Sequence, residues 1–409
     1  MQASQVSINC LLIDLTEAGE LPPEATAMER AKQEFEALVR KTFGRSSISN
    51  ASTPILDIAR STSSDAESAQ PKTRNGNGFK ACIRKLTGSR GRTSSLSSSP
   101  LSENKQKDDA IKSILRFIKV NDQYIALTSI LLKSYLYYSA RPIDPDVILN
   151  EHACEDNSVD KDEEPISKPI ITLPRTKYGK PYIPKTATMA NITSETNGEE
   201  SLLPFSLSHH YPFVGLAYIN GNAHEKHLSL VLGFDIVTFN SFSKTRSLYS
   251  STEEYLQPFK SCFTDWEWEQ INYSSAQDVE HNVDNDDDDH PKVKEMLLRW
   301  AMKEAYTKGL GTGLGTDFGS FAIRLQGIDN GEGSLKIPRV WDNICEAGEK
   351  LQITASIFHK DELNAKYWEF IFIPLTNKSG CACICIEGRN RPKLKLSAMS
   401  IQHLLEYHS

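Results

Sequence analysis

The chain has 409 residues, with 46 Lys and Arg against 53 Asp and Glu, for a formal charge of −7. That balance argues against a general nucleic-acid binder, which ordinarily presents a basic stripe. A hydrophobic share of 39% with 24% charged residues is ordinary for a soluble enzyme, and no apolar run approaches the roughly 20 residues that span a bilayer.

Val6–Ile13 reads as a strand at the start of the chain. It lacks a basic region before its apolar stretch, and Asp14 and Glu17 follow it, so neither a signal peptide nor a transit peptide is expected. A cytoplasmic setting with reduced cysteines follows. Residues 46–107 are dominated by Ser, Thr, Asn, Gly, Lys and Arg and are expected to be disordered. Asp109–Ser139 shows helical periodicity with a break near Asn121-Asp122. Glu151–Glu164, Thr188–Glu200 and Ser274–His290 read as polar loops, because the consecutive carboxylates of Asp286–Asp289 repel one another and lack a rigid frame.

Phe213–Tyr218 and Leu228–Val237 read as strands, and Met296–Leu310 as a helix. Phe321–Leu325, Leu351–Phe358, Trp368–Pro374 and Cys381–Glu387 complete the expected strands, as in an antiparallel sheet. Cys381, Cys383 and Cys385 share one face of their strand by the period of two, which favours buried thiols over a metal site. Strands and helices mix without βαβ regularity, so the expected class is α+β.

Four stretches carry candidate chemistry. On a helix, Trp300, Lys303 and Glu304 cluster on one side, and Glu304 and Lys308 share a face, an arrangement that alone also describes a surface salt bridge. Asp235 interrupts the apolar strand Leu228–Val237, where a carboxylate needs a cation, a hydrogen-bond network or an exposed strand end. Ser206, Ser208 and His209 stand at a strand entry and can bind phosphate. Arg175, Lys177, Gly179, Lys180 and Pro181 form a cationic turn that faces a polyphosphate or solvent. The glycines 311, 313 and 315 follow a helix instead of joining a strand to one, so they are not a dinucleotide loop.

Taken in order, these stretches resemble the Sfp-type phosphopantetheinyl transferases, especially the eukaryotic cytosolic branch with its fungal and lysine-biosynthesis members. The matching segments are Asp122 with Leu127-Thr-Ser129-Ile-Leu-Leu-Lys133, Gly179-Lys-Pro181, Phe205-Ser-Leu-Ser-His209, Gly233-Phe-Asp235, Phe263-Thr-Asp-Trp-Glu-Trp268 and Trp300 to Gly311. The resemblance covers about Asp109 to Ile386 outside the polar insertions. It implies two similar α+β halves related by a pseudo-two-fold axis, each a small antiparallel sheet with helices, in a monomer.

On that basis residues 1–45 would join the first half, 46–107 would be a disordered insertion, and 108–220 would complete that half. Residues 221–390 would form the second half, with 273–292 an acidic loop and 391–409 a tail. The implied reaction moves the phosphopantetheine arm of coenzyme A to a serine of a carrier domain and releases adenosine 3′,5′-bisphosphate. Asp235 and Glu304 would ligate Mg2+, with Glu304 as general base and Lys308 on the diphosphate. Arg175, Lys177, Gly179, Lys180 and Pro181 would line the adenine and 3′-phosphate end, with Ser206, Ser208 and His209 closing it. Implied partners are the acyl or peptidyl carrier domains of aminoadipate reductase, fatty-acid or polyketide synthases and peptide synthetases.

The pattern has departures. Ser206 replaces the usual asparagine, and Val237 stands where bacterial members have a second acidic ligand. Asn121 stands where some relatives carry an arginine, leaving Arg116 and Lys119 as substitutes. Two other readings stay open at this point: a non-catalytic protein that binds coenzyme A or carriers, and a Mg2+-dependent nuclease or phosphoesterase.

Overall fold

The computed structural model describes residues 7–18, 25–42, 100–140, 170–184, 203–219, 230–240, 242, 248–276, 291–328, 339–359, 362–363, 366–388 and 392–408. The expectations of disorder or loop for 46–99, 151–164, 188–200 and 277–290 lie outside these residues.

The strands are β1 (Ser7–Asp14), β2 (Phe205–His210), β3 (Phe213–Ile219), β4 (Leu232–Thr238), β5 (Phe321–Leu325), β6 (Leu351–His359), β7 (Glu362–Leu363), β8 (Trp368–Pro374), β9 (Gly380–Glu387) and β10 (Lys393–Ala398). The helices are α1 (Ala25–Thr42), α2 (Pro100–Leu115), α3 (Val120–Ala140), α4 (Thr252–Leu256), α5 (Asp265–Ala276), α6 (Pro291–Leu310), α7 (Val340–Ala347) and α8 (Ile401–His408). One sheet has the order β10-β1-β3-β2, and the other runs β4-β9-β8-β6-β5 with β7 beside β6. This is the expected α+β class.

The period-two alternation of the strands sorts apolar side chains between two faces. In the first sheet, Leu11, Ile13, Val214 and Leu216 pack under α1, α2, α3 and α8. In the second, Phe321, Ile323, Phe370, Phe372 and the three thiols Cys381, Cys383 and Cys385 pack under α5, α6 and α7. The opposite faces meet in a shared core, where Ile8, Cys10 and Phe213 oppose Phe234, Ile371, Ala382 and Ile384. The order is therefore helices, sheet, sheet, helices. The three thiols are fully buried and free, and burial lifts each well above the ordinary thiol value.

Several expectations are corrected here. The break between the first-half helices lies at residues 116–119, and Asp122 sits in the first turn of α3, where a negative charge favours the helix N-terminus. Helix α6 begins at Pro291, five residues before the expected Met296. Proline is tolerated at a first helical position because its missing N–H has no intrahelical partner there, and Val293 extends the buried stripe backwards. The end of the 46–107 span is helical from Pro100 onward.

The largest correction concerns residues 391–409, expected as a tail. Strand β10 pairs in parallel with β1, from Ser7 opposite Lys393 to Leu12 opposite Ala398. Ile401 and Leu404 of α8 then enter the first-half core, and His408 Nε2 lies 3.2 Å from the Leu131 carbonyl oxygen. The first sheet is consequently mixed, not purely antiparallel.

Candidate active site

Strands β2 and β4 are the facing edges of the two sheets, and they join without a backbone ladder. Side chains of β2 at every second position take its place. The Ser206 hydroxyl accepts the Phe234 N–H at 3.0 Å, the Ser208 hydroxyl donates to Asp235 Oδ1 at 2.7 Å, and His210 Nδ1 accepts the Thr238 N–H at 3.2 Å. Ser206 is thus buried in this seam and bonded to backbone.

On β4, Leu232, Phe234 and Ile236 point into the shared core, which leaves Gly233, Asp235 and Val237 facing α6. Gly233 is required for the close approach. A Cβ there would sit 1.7 Å from the Ala305 carbonyl oxygen and 2.6 Å from the Gly309 nitrogen. The contact is backbone against backbone, and it brings Asp235 under the last turns of the helix.

The result is a triangle of polar groups. Lys308 Nζ donates to Asp235 Oδ1 at 2.6 Å and to Ser208 Oγ at 2.9 Å, while Ser208 itself donates to the same Asp235 oxygen. Burial works against the Lys308 charge, but the Asp235 and Glu304 carboxylates outweigh it and hold the ammonium above its ordinary value. Glu304 is 6% exposed. Among the described residues its carboxylate has no hydrogen-bond partner. Burial, reinforced by the charge of Asp235 and opposed by Lys308, pushes Glu304 from 4.5 up to about 7.

A basic wall flanks this group. His209 is held below its ordinary value, first by desolvation and then by the charge of Lys308, with Lys133 also contributing. Lys133, on α3, is lowered to about 8 by desolvation and by the neighbouring Arg175. Sequence reasoning placed Lys133 only as the end of a Leu-rich pattern. The structure places Lys133 beside Arg175 and His209. Arg116 and Lys119, the expected substitutes for the arginine of relatives, are exposed beside the helix break.

The cationic turn divides into two parts. Gly179 has the left-handed φ of 89° that the tight turn requires, and its carbonyl accepts from Arg175 Nη1 at 2.8 Å. Lys177 and Tyr178 are exposed, with Lys177 Nζ 5.7 Å from the Tyr178 ring centroid. Lys180 Nζ instead donates to the Gly309 carbonyl at 3.0 Å, and lies 3.4 Å from the Leu232 carbonyl oxygen. It therefore neutralises the C-terminal end of α6, where orphan carbonyls favour a cation. Pro181 closes the turn through its bridge to Arg175.

The structure brings Ser208, Asp235, Glu304 and Lys308 together, with His209, Lys133 and Arg175 alongside. It separates Lys303 from Glu304. Trp300 and Lys303 both reach Phe318, but the Lys303 ammonium turns on to Glu267 at 2.7 Å. A recess of about 220 Å3 lined by Gln326, Gln352, Ile353, Thr354 and Glu369 lies on the second sheet and holds none of the candidate residues.

The donor set fits a hard cation. Among the described residues no group of three or more His, Cys, Asp or Glu converges as a metal cage. Mg2+, however, needs only one or two carboxylates and keeps several waters. Glu304 has no hydrogen-bond partner, and its ionisation is opposed by burial and by the charge of Asp235 against the attraction of Lys308, a situation that a cation beside both carboxylates relieves. Val237, buried and apolar two residues on, offers no further ligand.

Comparison with known proteins bears on the stretch that carries these residues. Residues 231–361, which contain Asp235, Glu304 and Lys308, match the model of the 4′-phosphopantetheinyl transferase superfamily. A phosphopantetheinyl transferase from a Thraustochytrium species is 27% identical over 145 residues, 36% of this chain and 39% of the relative. The matched stretch is thus well under half the length of either chain. Among the described residues no helix is long and apolar enough to cross a membrane.

Proposed function

We propose that this protein transfers the 4′-phosphopantetheine arm of coenzyme A to a serine hydroxyl of an acyl or peptidyl carrier domain. The observation that carries the reading is the buried, unpartnered Glu304 beside the Asp235–Lys308–Ser208 triangle, within the stretch that matches the superfamily. In this reaction the serine oxygen bonds to the β-phosphorus, the bond to the bridging oxygen breaks, and adenosine 3′,5′-bisphosphate leaves.

Each residue has a part that its surroundings support. Glu304, poised near neutrality, takes the serine proton as general base. Lys308 offsets negative charge on the diphosphate oxygens, and Ser208 fixes the Asp235 carboxylate through one oxygen so that the other stays open. Asp235 and Glu304 would hold Mg2+, which when bound supplies charge stabilisation at the diphosphate. Lys133, Arg175 and His209 form the basic wall suited to the phosphate groups at the adenosine end, with Lys177 proposed to reach them from the exposed turn.

Incubation with coenzyme A, Mg2+ and apo-carrier domains tests the proposal, read by mass spectrometry as addition of the phosphopantetheine arm. The expected acceptors are carrier domains of aminoadipate reductase, fatty-acid or polyketide synthases and peptide synthetases. No addition to any of them would sink the reading. Asp235→Asn is expected to lower transfer by at least about 10²-fold, the scale for loss of one preorganised electrostatic partner. It should also remove the response to added Mg2+. Wild-type Mg2+ dependence in that variant would show that Asp235 is not a ligand.

A further inference from the structure

Lys303 and Glu267 form a second ionic centre, apart from the group at the seam. Their side chains are 0% and 1% exposed, with Nζ and Oε2 2.7 Å apart. All three ammonium protons are used, because Lys303 Nζ also donates to the carbonyls of Phe318 and Phe321, each at 2.6 Å. Glu267 is equally committed. It accepts from the Thr264 N–H and hydroxyl at 3.0 Å each, and its other oxygen accepts the Ile323 N–H at 3.2 Å.

Strand β5 is the outer edge of the second sheet. Ile323 and Phe321 therefore present a free N–H and C=O there, and the pair closes both. Helix α6 is accordingly held at the two opposite edges of one sheet. Gly233 and Gly309 fix it backbone to backbone at β4, and Lys303 fixes it at β5.

Glu304 needs such a hold. It stands without a hydrogen bond and desolvated, and the like charge of Asp235 works against the attraction of Lys308. Strained or disfavoured placements of this kind persist only where the surroundings over-determine them. Successive helical residues point about 100° apart, so fixing Lys303 toward β5 directs Glu304 toward β4. Buried ion pairs add little net stability compared with apolar replacements, and geometric specificity is the better attested use.

We infer that Lys303 and Glu267 are positioning residues for the transfer reaction, setting the rotation of α6 so that Glu304 faces Asp235. This inference rests on the transferase reading above. It predicts a fault in the chemical step and not in coenzyme A binding, which a merely structural pair would not separate.

The test compares wild type with Lys303→Met/Glu267→Leu, which replaces the pair by apolar side chains, and with Glu267→Gln, which keeps shape and most hydrogen bonds. Steady-state transfer to an apo-carrier gives kcat and the KM for coenzyme A, and melting curves report folding. The expected result is cooperative melting, a KM within about twofold of wild type, and a kcat about 10²-fold lower in the double variant. Glu267→Gln should show a smaller loss of the same kind. Wild-type kcat in the folded double variant overturns the inference. Should the double variant not fold, wild-type kcat in Glu267→Gln overturns it, as does a rise in KM that accounts for the whole loss. An inactive wild type would overturn the transferase reading itself, whereas active wild type with active variants overturns the positioning role alone.

Discussion

Replacing Glu304 with glutamine is expected to lower transfer by about 10²–10⁴-fold, the range for loss of a general base, and at the same time to stabilise the fold. The stabilisation follows from the raised value of about 7 against an ordinary 4.5. Between those values the unfolded carboxyl has ionised while the folded one keeps its proton. Stability therefore falls as pH rises through that window, by about 3 kcal/mol at most. Glutamine is neutral throughout, so its gain over wild type should be absent below pH 4.5 and complete above about pH 7. Melting curves without Mg2+ at both ends of the window check this. A difference that does not change with pH would show that burial and the Asp235 charge do not act on Glu304 as described.

Gly233→Ala is expected to cost about 3 kcal/mol or more, at the upper end for overpacking, and to abolish most transfer. Its Cβ would fall 1.7 Å from the Ala305 carbonyl oxygen, a backbone atom that has no rotamer by which to yield. The strand must then draw back from α6, which parts Asp235 from Glu304 and Lys308. Gly315→Ala is the matched control. A Cβ there meets nothing within 4 Å and the backbone is not in the left-handed region, so its effect should stay within about 0.5 kcal/mol. Chemical denaturation of the two variants side by side decides the point. Equal stability would mean that β4 and α6 do not touch as closely as the structure has them.

The sequence disclosed the site better than its supports. Asp235, Glu304 and Lys308 were legible because a carboxylate in an apolar strand and an i, i+4 pair on a helix are local patterns. Ser206 was legible only as a departure, since its bond to the Phe234 N–H joins strands from different sheets. The partner of Lys303 was not legible for a related reason. Helical spacing says which residues share a face, but a long flexible side chain can swing to a partner such as Glu267, 36 positions earlier in the chain. The short strand β10 was missed although Lys393, Leu394, Lys395 and Leu396 alternate, because charged, mostly exposed residues preceded by Arg389-Asn-Arg-Pro392 read as a terminus.

The parallel pairing of β10 with β1 has a consequence for synthesis. Ser7 is made 386 residues before its partner Lys393, a wait of roughly 20–80 s at about 5–20 residues/s. Throughout that interval β1 has one neighbour fewer, and the apolar groove that receives α8 stays open on the ribosome. The second half waits less long within itself, since Leu232 of β4 is made 154 residues before its partner Ile386. The nascent chain can thus complete its later half before its earlier one, and a truncation or bulky fusion at residue 392 would leave the first sheet with an open edge beside β1.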